Sequence, residues 1–274
     1  MSEQKQFSVA MCVYGKDNPT WFETAVESVL NQSAVPSEVV LVVDGPVPEE
    51  LDAVIKKYES NEIFKVIRFE ENQGHGNARR ASVDGCTNEL IALMDADDIS
   101  LSDRFEKQLK VFDSTASDIV GGDIGEFVEE ENVLAYRRLP KTDSEIKELM
   151  KTKCAFNQVT VMFKKSAYQN AGGYIDWFCE EDYYLWLRMM KNGAVFANTG
   201  DVTVNVRVGK EMYKRRGGMK YFKSEAKLQK YMLDSKIIGF GTYFVNVSKR
   251  LIVQVLLPNS IRGWVFKKFA RNKV

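Results

Sequence analysis

Histidine is almost absent from this 274-residue sequence, in which His75 is the only one. A zinc site made of several histidines is therefore excluded, and a Ser-His-Asp triad would depend wholly on that one residue. The four cysteines are far apart and form no C-x-x-C pair: Cys12, Cys86, Cys154 and Cys179. Together with the polar start of the chain over residues 1–6, which lacks the pattern of a signal peptide, this predicts a cytoplasmic protein in a reducing compartment.

The sequence also lacks internal repeats, low-complexity linkers and a good membrane span. Residues 237–257 are rich in apolar side chains, but polar and basic residues interrupt them: Asn246, Lys249, Arg250 and Gln254. A transmembrane helix is therefore not predicted there.

What is present is an ordinary globular composition, with 45% hydrophobic residues, enough to bury a sizeable core. Strand patterns alternate with helix patterns as far as Val208. This predicts one α/β domain with a mostly parallel central sheet over residues 1–208, followed by a helical basic region over residues 209–274.

Charge is unevenly spread along the chain, although the net charge is zero. The stretch from residue 207 to residue 274 contains seventeen Lys or Arg residues against three acidic ones, so the preceding part is acidic by the same amount. Such a split predicts a basic region that contacts an anionic surface, either membrane lipid or nucleic acid.

The most informative stretch is an apolar run that leads into three carboxylates, in the order Leu90-Ile91-Ala92-Leu93-Met94-Asp95-Ala96-Asp97-Asp98. The short apolar run fits a strand that is buried on both faces, as in a parallel sheet. Ligands of such sheets bind at the carboxyl ends of the strands. Because clustered carboxylates suit Mg²⁺ or Mn²⁺, the motif predicts a metal site that holds a phosphorylated ligand.

The acidic motif has two other interpretations. Asp-rich loops after strands are also ordinary helix caps. An EF-hand loop counted from Asp95 would place Asp97 at its third position and Glu106 at its twelfth. That loop fails at Ile99, where an oxygen ligand is needed, and at Ser100, where a glycine is needed.

Two further patterns place polar groups after predicted strands. Residues 38–43 fit a buried strand that ends in Asp44-Gly45-Pro46, for which a simple turn is the alternative. A glycine-containing loop, Asn72-Gln73-Gly74-His75-Gly76-Asn77-Ala78-Arg79-Arg80, opens a helix and can approach a phosphate. It matches neither the Walker A nor the dinucleotide pattern, and a surface loop with solvated arginines is the alternative.

A second acidic group, Glu180-Glu181-Asp182, precedes a helix predicted over residues 183–191, and ordinary capping is its alternative interpretation. The remaining strands are predicted at residues 7–14, 64–69, 117–120, 133–136, 159–163, 194–198 and 202–208. The remaining helices are predicted to run from residues 18–23 toward Asn31, with Thr20 and Glu23 at capping-box spacing, and over residues 49–58, 102–112 and 143–151.

The basic C-terminal region predicts two helices, over residues 210–236 and 237–257. Wound as a helix, the second places apolar residues along one side: Phe240, Phe244, Val247, Leu251 and Val255. Four basic residues follow: Lys267, Lys268, Arg271 and Lys273. This pattern predicts an amphipathic helix at a membrane surface, and a helix docked on the core or on an oligomer partner is the alternative.

Taken together, these motifs resemble the family 2 glycosyltransferases of the GT-A fold, and among them bacterial exopolysaccharide and O-antigen enzymes of the amylovoran type. The resemblance covers about residues 7–205. Five elements carry it in the family's order: Glu27-Ser28-Val29-Leu30-Asn31-Gln32; Val43-Asp44-Gly45; Asn72-Gln73-Gly74 with Ala78-Arg79; Asp95-Ala96-Asp97-Asp98; and Glu181-Asp182 before Leu185-Trp186-Leu187-Arg188.

The resemblance implies a role for each matching residue. On the donor side, Asp44 would accept from the nucleotide base, Arg79 would lie by the base or phosphates, and Asn72 and Gly74 would belong to the same substrate-binding loop. Asp95 would contact the ribose, and Asp97 would hold Mn²⁺ or Mg²⁺ at the diphosphate. On the acceptor side, Asp182 matches the catalytic base, and Glu181 would orient the acceptor.

The implied activity is an inverting, metal-dependent transfer of a hexose or N-acetylhexosamine from a UDP-sugar to a lipid-linked saccharide at the inner membrane face. The processive pattern Q-x-x-R-W is absent, which predicts the addition of one or a few sugars. Gln158 stands where the family often has histidine. The competing functions are a sugar-nucleotide nucleotidyltransferase and a non-catalytic membrane or nucleic-acid adaptor; for the transferase, no nucleic acid is expected, and a homo-oligomer stays open.

Overall fold

The computed structural model describes residues 5–128, 132–209 and 217–257, together with the backbone of residues 272–273. Its strands are β1 (Phe7–Tyr14), β2 (Glu38–Asp44), β3 (Phe64–Arg68), β4 (Leu90–Met94), β5 (Ile99–Ser100), β6 (Ile119–Phe127), β7 (Val133–Arg137), β8 (Met162–Lys164), β9 (Phe196–Arg207) and β10 (Asn272–Lys273). Its helices are α1 (Pro19–Leu30), α2 (Glu49–Glu59), α3 (His75–Gly85), α4 (Arg104–Ser114), α5 (Asp143–Met150), α6 (Lys165–Asn170), α7 (Glu181–Lys191), α8 (Met219–Asp234) and α9 (Phe240–Leu251). A 3₁₀ turn covers Gln158–Thr160, and a π-helical turn, Ile252–Leu256, continues α9.

One mixed sheet runs through the protein in the order β10-β7-β6-β8-β4-β1-β2-β3, with β9 paired to β6 and β5 paired to β9. Strands β4, β1, β2 and β3 are parallel neighbours, and β6 is parallel to β9. Strand β8 runs antiparallel to both β4 and β6 and joins the two parts. Most paired residues lie in parallel ladders, which confirms the predicted α/β fold, and the carboxyl ends of β1, β2 and β4 meet at one edge.

Two hydrophobic cores cover the two faces of the sheet. Val9 and Met11 belong to one core and Ala10 to the other, as the alternation of side chains along β1 requires. The second core also contains Leu228 and Met232 of α8, which are almost completely buried. Because each such side chain contributes about 1.5 to 3 kcal/mol on burial, α8 is firmly packed on the domain. The domain boundary predicted at residue 208 stays a prediction.

The start of α1 differs from its prediction. The side chain of Asn18 accepts hydrogen bonds from the backbone amides of Thr20 (2.9 Å) and Trp21 (3.1 Å), so Asn18 is the N-cap. A capping box of Thr20 and Glu23 is therefore wrong. Pro19 explains the difference, because its fixed φ suits the first helical position and starts the helix there.

Strands β6 and β9 are longer than predicted because glycines let the chain approach closely. A Cβ on Gly121 would lie 2.3 Å from Oδ1 of Asn198, and one on Gly122 would lie 2.3 Å from Oγ1 of Thr203. The two strands predicted over residues 194–208 form the single strand β9, which passes through Gly200 at φ +79°.

The strand predicted over residues 159–163 is only partly formed. Residues 158–160 adopt a 3₁₀ turn, and β8 begins at Met162. The hydroxyl of Thr160 donates to the carbonyl oxygen of Asn157 at 2.7 Å, a local bond that competes with a strand.

The second C-terminal helix is turned with its apolar side outward. Phe240 and Phe244 of α9 are 71% and 62% exposed, whereas Asn246 and Gln254 are each 5% exposed. The polar side of α9 therefore faces the protein, as the alternative interpretation of a docked helix requires, and the apolar side faces outward. In the described part of the chain, no helix combines the length and the apolar character needed to cross a bilayer.

Parts of the predicted basic region lie outside the described residues. These are residues 210–216, at the start of the helix predicted over residues 210–236, and the side chains of Lys267, Lys268, Arg271 and Lys273. In the described residues that helix begins at Met219.

Candidate active site

The predicted site residues Asp44 and Asp95 follow neighbouring parallel strands. In the ladder between β1 and β2, Tyr14 pairs with Asp44. In the ladder between β1 and β4, Met11 pairs with Met94, the residue before Asp95. The register therefore brings both carboxylates to the edge of the sheet where ligands of parallel sheets bind.

The carboxylate of Asp44 organises the predicted substrate-binding loop at residues 72–74. It accepts hydrogen bonds from the backbone amides of Gln73 (2.7 Å) and Gly74 (3.1 Å) and from Nδ2 of Asn72 (3.0 Å). Gly45 allows this contact, because its φ is +83° and a Cβ there would lie 2.6 Å from the backbone nitrogen of Asn72. The structure thus brings Asp44, Asn72 and Gly74 together, as predicted.

Arg79 lies at the centre of the site and is only 3% exposed. Its Nη2 donates to Oδ1 of Asp95 at 2.6 Å and lies 2.6 Å from Nε2 of His75. With its side-chain amide oriented so that donors face acceptors, Gln158 accepts from Nε (3.0 Å) and Nη1 (2.7 Å) of the same guanidinium. Arg79 is therefore fixed by side chains from three separate parts of the chain.

Asp95 lies in a positive environment. Burial alone would raise the pKa of Asp95, but the charges of Arg79, His75 and Arg104 outweigh burial and hold that pKa below its ordinary value. Arg104 is fully buried, and burial lowers its own pKa to about 9 while Asp95 and Asp98 oppose the shift. The charges of two guanidinium groups thus stabilise the ionised form of Asp95.

The other two carboxylates of the acidic motif have different surroundings. Asp97 is exposed, and its backbone carbonyl oxygen accepts from Nε of Arg207 at 3.1 Å. Asp98 is buried and accepts from the backbone amide of Arg207 at 2.8 Å. Burial, reinforced by Asp95 and Asp97, holds the pKa of Asp98 well above its ordinary value. The side chain that faces solvent is thus the one predicted to bind the metal.

Asp97 fits a divalent cation that is shared with a diphosphate. Among the residues that the structure describes, no group of three or more Asp, Glu, His or Cys side chains could enclose a metal ion alone. Mg²⁺ commonly needs only one or two carboxylates, because phosphate oxygens and water complete its coordination. An exposed carboxylate beside further acidic groups meets that requirement for Mn²⁺ or Mg²⁺.

Two groups beside the acidic motif are missing from the sequence predictions. Burial raises the pKa of Asp17 to about 6, and Asp97 and Asp95 add to the shift, so Asp17 lies within electrostatic range of the motif. The guanidinium of Arg207 stacks 4.4 Å from the ring of Trp21. Asp17 follows β1, so the rule that identifies Asp44 and Asp95 also applies to it, whereas nothing near Arg207 in sequence marks its contact with the motif.

The second acidic group begins α7. Burial, followed by the charge of Asp182, raises the pKa of Glu181 to about 7, while Arg79 lowers it and Asp176 raises it. The start of α3 lies against this segment, because a Cβ on Gly76 would be 3.3 Å from Oδ1 of Asp176. The start of α7 therefore lies close to the start of α3, which carries Arg79.

Tyr174 lies within electrostatic range of both Arg79 and Asp182. Its side chain is fully buried, and burial raises the pKa of its hydroxyl, with an opposing effect of Arg79 and a reinforcing effect of Asp182. The charge of Arg79 thus acts on Asp95, on Glu181 and on Tyr174. The structure therefore brings Glu181, in the predicted base region, within electrostatic range of Arg79, in the predicted donor region, although the two residues are far apart in sequence.

Sequence comparison relates this chain to a family of known enzymes. The sequence pattern described as Glycosyl transferase family 2 matches residues 8–172. The amylovoran biosynthesis glycosyltransferase AmsE of Erwinia amylovora is 35% identical over 264 residues, which cover 96% of this chain and 98% of the relative. The UDP-Gal:alpha-D-GlcNAc-diphosphoundecaprenol beta-1,3-galactosyltransferase of Escherichia coli is 33% identical over 270 residues, which cover 97% of each chain.

The fold is similar to that of S. aureus TarS, in a crystal structure in complex with UDP-GlcNAc. The TM-score is 0.69 at 16% identity, and the match covers 96% of this chain and 76% of the TarS chain. At this identity the likeness concerns the fold alone, and it confirms the GT-A architecture.

Proposed function

Because the chain belongs to glycosyl transferase family 2 and is a glycosyltransferase, we propose that it transfers a sugar from a UDP-sugar to a lipid-linked saccharide, with inversion at the anomeric carbon. The observation that carries this proposal is that Arg79 donates a hydrogen bond to Asp95 at 2.6 Å and also lies close enough to Glu181 for its charge to lower the pKa of that carboxyl. Two acidic groups that lie within the electrostatic range of one buried cation suit a reaction with a departing diphosphate at one group and an attacking hydroxyl at the other.

On the donor side, the loop held by Asp44 would receive the uracil, and Asp95 would contact the ribose. Arg79 holds Asp95 in place, and its positive charge stabilises the diphosphate as the sugar–phosphate bond breaks. When bound, Mn²⁺ or Mg²⁺ would supply Lewis-acid stabilisation of the same charge, and Asp97 would hold it together with phosphate oxygens.

On the acceptor side, Asp182 would take the proton of the acceptor hydroxyl as its oxygen attacks the anomeric carbon. Glu181 would orient that hydroxyl, and its raised pKa of about 7 means that much of it is protonated near neutral pH, when it can donate a hydrogen bond. Attack from the face opposite the leaving diphosphate inverts the configuration. The transferred sugar then forms its new bond to the acceptor oxygen.

The proposed acceptor is a saccharide on a polyprenyl diphosphate, in the assembly of an O-antigen, capsule or exopolysaccharide. The named substrate of the Escherichia coli relative, a diphosphoundecaprenol-linked sugar, supports this proposal. So does the name of the amylovoran biosynthesis relative. The nucleotidyltransferase and adaptor alternatives do not explain membership of a glycosyl transferase family.

A lipid-linked acceptor requires contact with the cytoplasmic face of the inner membrane, and we assign that contact to α9. Two outward side chains of α9 and two of the following turn are apolar and exposed: Phe240, Phe244, Ile252 and Leu256. Four exposed lysines on α8 add positive charge: Lys220, Lys223, Lys227 and Lys230. Apolar and basic side chains together suit anionic lipid, whereas a second copy of this chain has the same charge.

Calorimetry tests the donor site first. UDP, GDP and dTDP are titrated with and without Mn²⁺ into the wild type, Asp97→Asn and the control Asp103→Asn, whose exposed side chain lies outside the site. We expect tight UDP binding that depends on Mn²⁺ and is lost only in Asp97→Asn. Absence of binding to every nucleotide would remove the proposed donor site.

The transfer step is tested next with UDP-sugars and a diphospholipid-linked GlcNAc acceptor. We expect Asp182→Asn to bind UDP as the wild type does and to transfer sugar more slowly by about a hundredfold or more. An active Asp182→Asn would exclude Asp182 as the base. Product stereochemistry, read from the anomeric NMR coupling, tests inversion.

A further inference from the structure

The C-terminal hairpin, formed by α8, α9 and the π-helical turn, buries polar residues as well as the apolar residues of α8 that pack on the domain. Gln229, Asn246 and Gln254 are at most 5% exposed. Buried polar groups cost free energy unless they are hydrogen-bonded, and Asn246 is bonded to the carbonyl oxygen of Lys151 and to Oε1 of Gln229.

Arg250 is the only Lys or Arg among the described hairpin residues that forms an almost buried ion pair. Its Nε lies 3.2 Å from Oε2 of Glu225, with side chains that are 13% and 12% exposed. Its Nη2 also donates to the carbonyl oxygen of Thr152 at 2.9 Å. Asn246, one turn earlier, donates to the carbonyl oxygen of Lys151 at 2.9 Å. Arg250 thus joins α8, α9 and the end of α5.

The same hairpin holds the segment that leads into Glu181 and Asp182, the catalytic pair of the proposed function. The hydroxyl of Ser224 donates to the carbonyl oxygen of Phe178 at 2.6 Å. The ammonium group of Lys227 lies 4.2 Å from the centre of the Trp177 ring. Since Glu181 follows three residues after Phe178, movement of α8 would move the start of α7.

Glu180 is the link between the hairpin and the catalytic pair. It is 4% exposed and immediately precedes Glu181. Burial, followed by the charges of Glu225 and Asp182, raises the pKa of Glu180 well above its ordinary value, and Arg250 opposes the shift. One cation, Arg250, therefore partly offsets two buried carboxylates directly behind the catalytic pair.

We propose that Arg250 is a positioning residue for Glu181 and Asp182, and that it acts through Glu225 and Glu180. This inference rests on the proposed function. Without Arg250, Glu225 and Glu180 would repel each other, so that the segment 177–182 either shifts or takes up a proton. Arg250 touches no substrate in this scheme; it fixes the charge and position of the groups that do.

Other charged and titratable groups face this cluster and act on it together with Arg250. They are Glu225 of α8, Tyr183 of α7, Arg79 of α3, Cys154 after α5, and Tyr174 and Asp176 of the preceding loop. None of them is changed in the variants below except Glu225.

Two variants should shift the pH profile in opposite directions. Arg250→Met removes the cation, so the acid limb of the kcat profile should move to higher pH by about half a unit to one unit. Glu225→Gln removes a competing carboxylate, so the acid limb should move to lower pH. Lys249→Met is the matched control, because Lys249 is exposed on the same helix, and its profile should not move.

The value of kcat and the affinity for UDP together distinguish a positioning role of Arg250 from a general loss of folded structure. In Arg250→Met we expect kcat to fall by about tenfold to a hundredfold, while calorimetric UDP affinity stays within about twofold, and Arg250→Lys should restore part of kcat. Shifts in the same direction for both variants, or no shift, would overturn the proposal. If Arg250→Met does not fold, the direction in which Glu225→Gln shifts the acid limb of the kcat profile decides alone.

An NMR titration of ¹³C-labelled Glu and Asp side chains keeps the result separate from the proposed function. It reports the same opposite shifts in the two variants without any sugar donor. If the wild type binds no nucleotide but the two variants show these opposite shifts, the proposed function is wrong and the electrostatic link remains. If the wild type transfers sugar but the variants show no shifts, the link is wrong and the proposed function remains.

Discussion

The guanidinium of Arg79 donates to the carboxylate of Asp95 at 2.6 Å, and both groups are held inside the site. Because Gln158 accepts from the other two nitrogens, Arg79 is already engaged before any nucleotide binds. Its charge can act on a diphosphate, but direct contact would need rearrangement of these bonds. Arg207, beside Asp97, is the second cation near the predicted diphosphate position.

The ion pair makes the stability of the protein depend on Arg79. Arg79→Met leaves the carboxylate of Asp95 partly buried without its main cation, so we expect the free energy of unfolding to fall by about 2 to 3 kcal/mol. Urea denaturation measures the change. Arg80→Met is the control, because the Arg80 side chain is 55% exposed and its pair with Asp84 should contribute less than about 0.5 kcal/mol. Equal losses in the two variants would contradict this interpretation.

The sheet edge that carries Asp44 and Asp95 could be predicted from sequence because a local pattern encodes it. A buried run followed by a polar residue identifies both Asp44 and Asp95, and parallel pairing then brings their strand ends together. The contact of Gln158 with Arg79 had no such signal, since it depends on the 3₁₀ turn that replaces the predicted strand.

The orientation of α9 on the protein could not be predicted from the sequence. The apolar and polar sides of α9 are visible as a pattern, but periodicity does not tell which side meets the protein. Asn246 and Arg250 face inward because carbonyl oxygens at residues 151 and 152 need donors there. The prediction of an apolar side was therefore sound, while the partners of the polar side required the tertiary structure.

The raised pKa of Glu181 predicts a pH-dependent stability. Its folded pKa is about 7 against an ordinary 4.5, first through burial and then through Asp182. Such a group adds stability that is complete below the unfolded pKa and is lost as the pH rises through the folded value. Glu181→Gln cannot ionise, so we expect it to match the wild type near pH 4 and to be more stable by roughly 1 to 3 kcal/mol near pH 8.

Chemical denaturation at several pH values measures this difference. Glu148→Gln is the matched control, because it removes the same charge from a side chain that is 73% exposed. A stability gain for Glu181→Gln that is the same at both ends of the pH range would show that the change acts through packing rather than through ionisation.

Alanine variants of Gly45 and Gly193 distinguish the cost of a strained backbone from the effect of a steric clash. Both have positive φ, +83° and +84°, but a Cβ on Gly45 meets the loop at Asn72, whereas a Cβ on Gly193 meets nothing within 4 Å. Each alanine variant should lose about 1 kcal/mol from the left-handed conformation. Only Gly45→Ala should also weaken UDP binding, by about tenfold or more, because the loop held by Asp44 must shift. Calorimetry decides, and equal UDP affinities would separate Asp44 from the donor site.

The outward side of α9 predicts membrane binding that point substitutions can test. Deletion of residues 237–274 is the simpler experiment, but it would also remove buried Ile238 and the contacts of Arg250, and so unsettle the domain. The triple variant of Phe240, Phe244 and Ile252 to serine changes only exposed side chains and should leave the melting temperature within a few degrees.

We expect this triple variant to lose most of its sedimentation with anionic liposomes, while Leu134→Ser, which changes an exposed residue on β7, sediments as the wild type does. The loss follows from the apolar area removed, at about 25 cal/mol per Å². The basic residues of α8 add an electrostatic part, so binding by the wild type should weaken as salt is raised. Unchanged sedimentation of the triple variant would assign lipid binding elsewhere. A wild-type dimer that the triple variant cannot form would instead identify a second copy of the chain as the occupant of this surface.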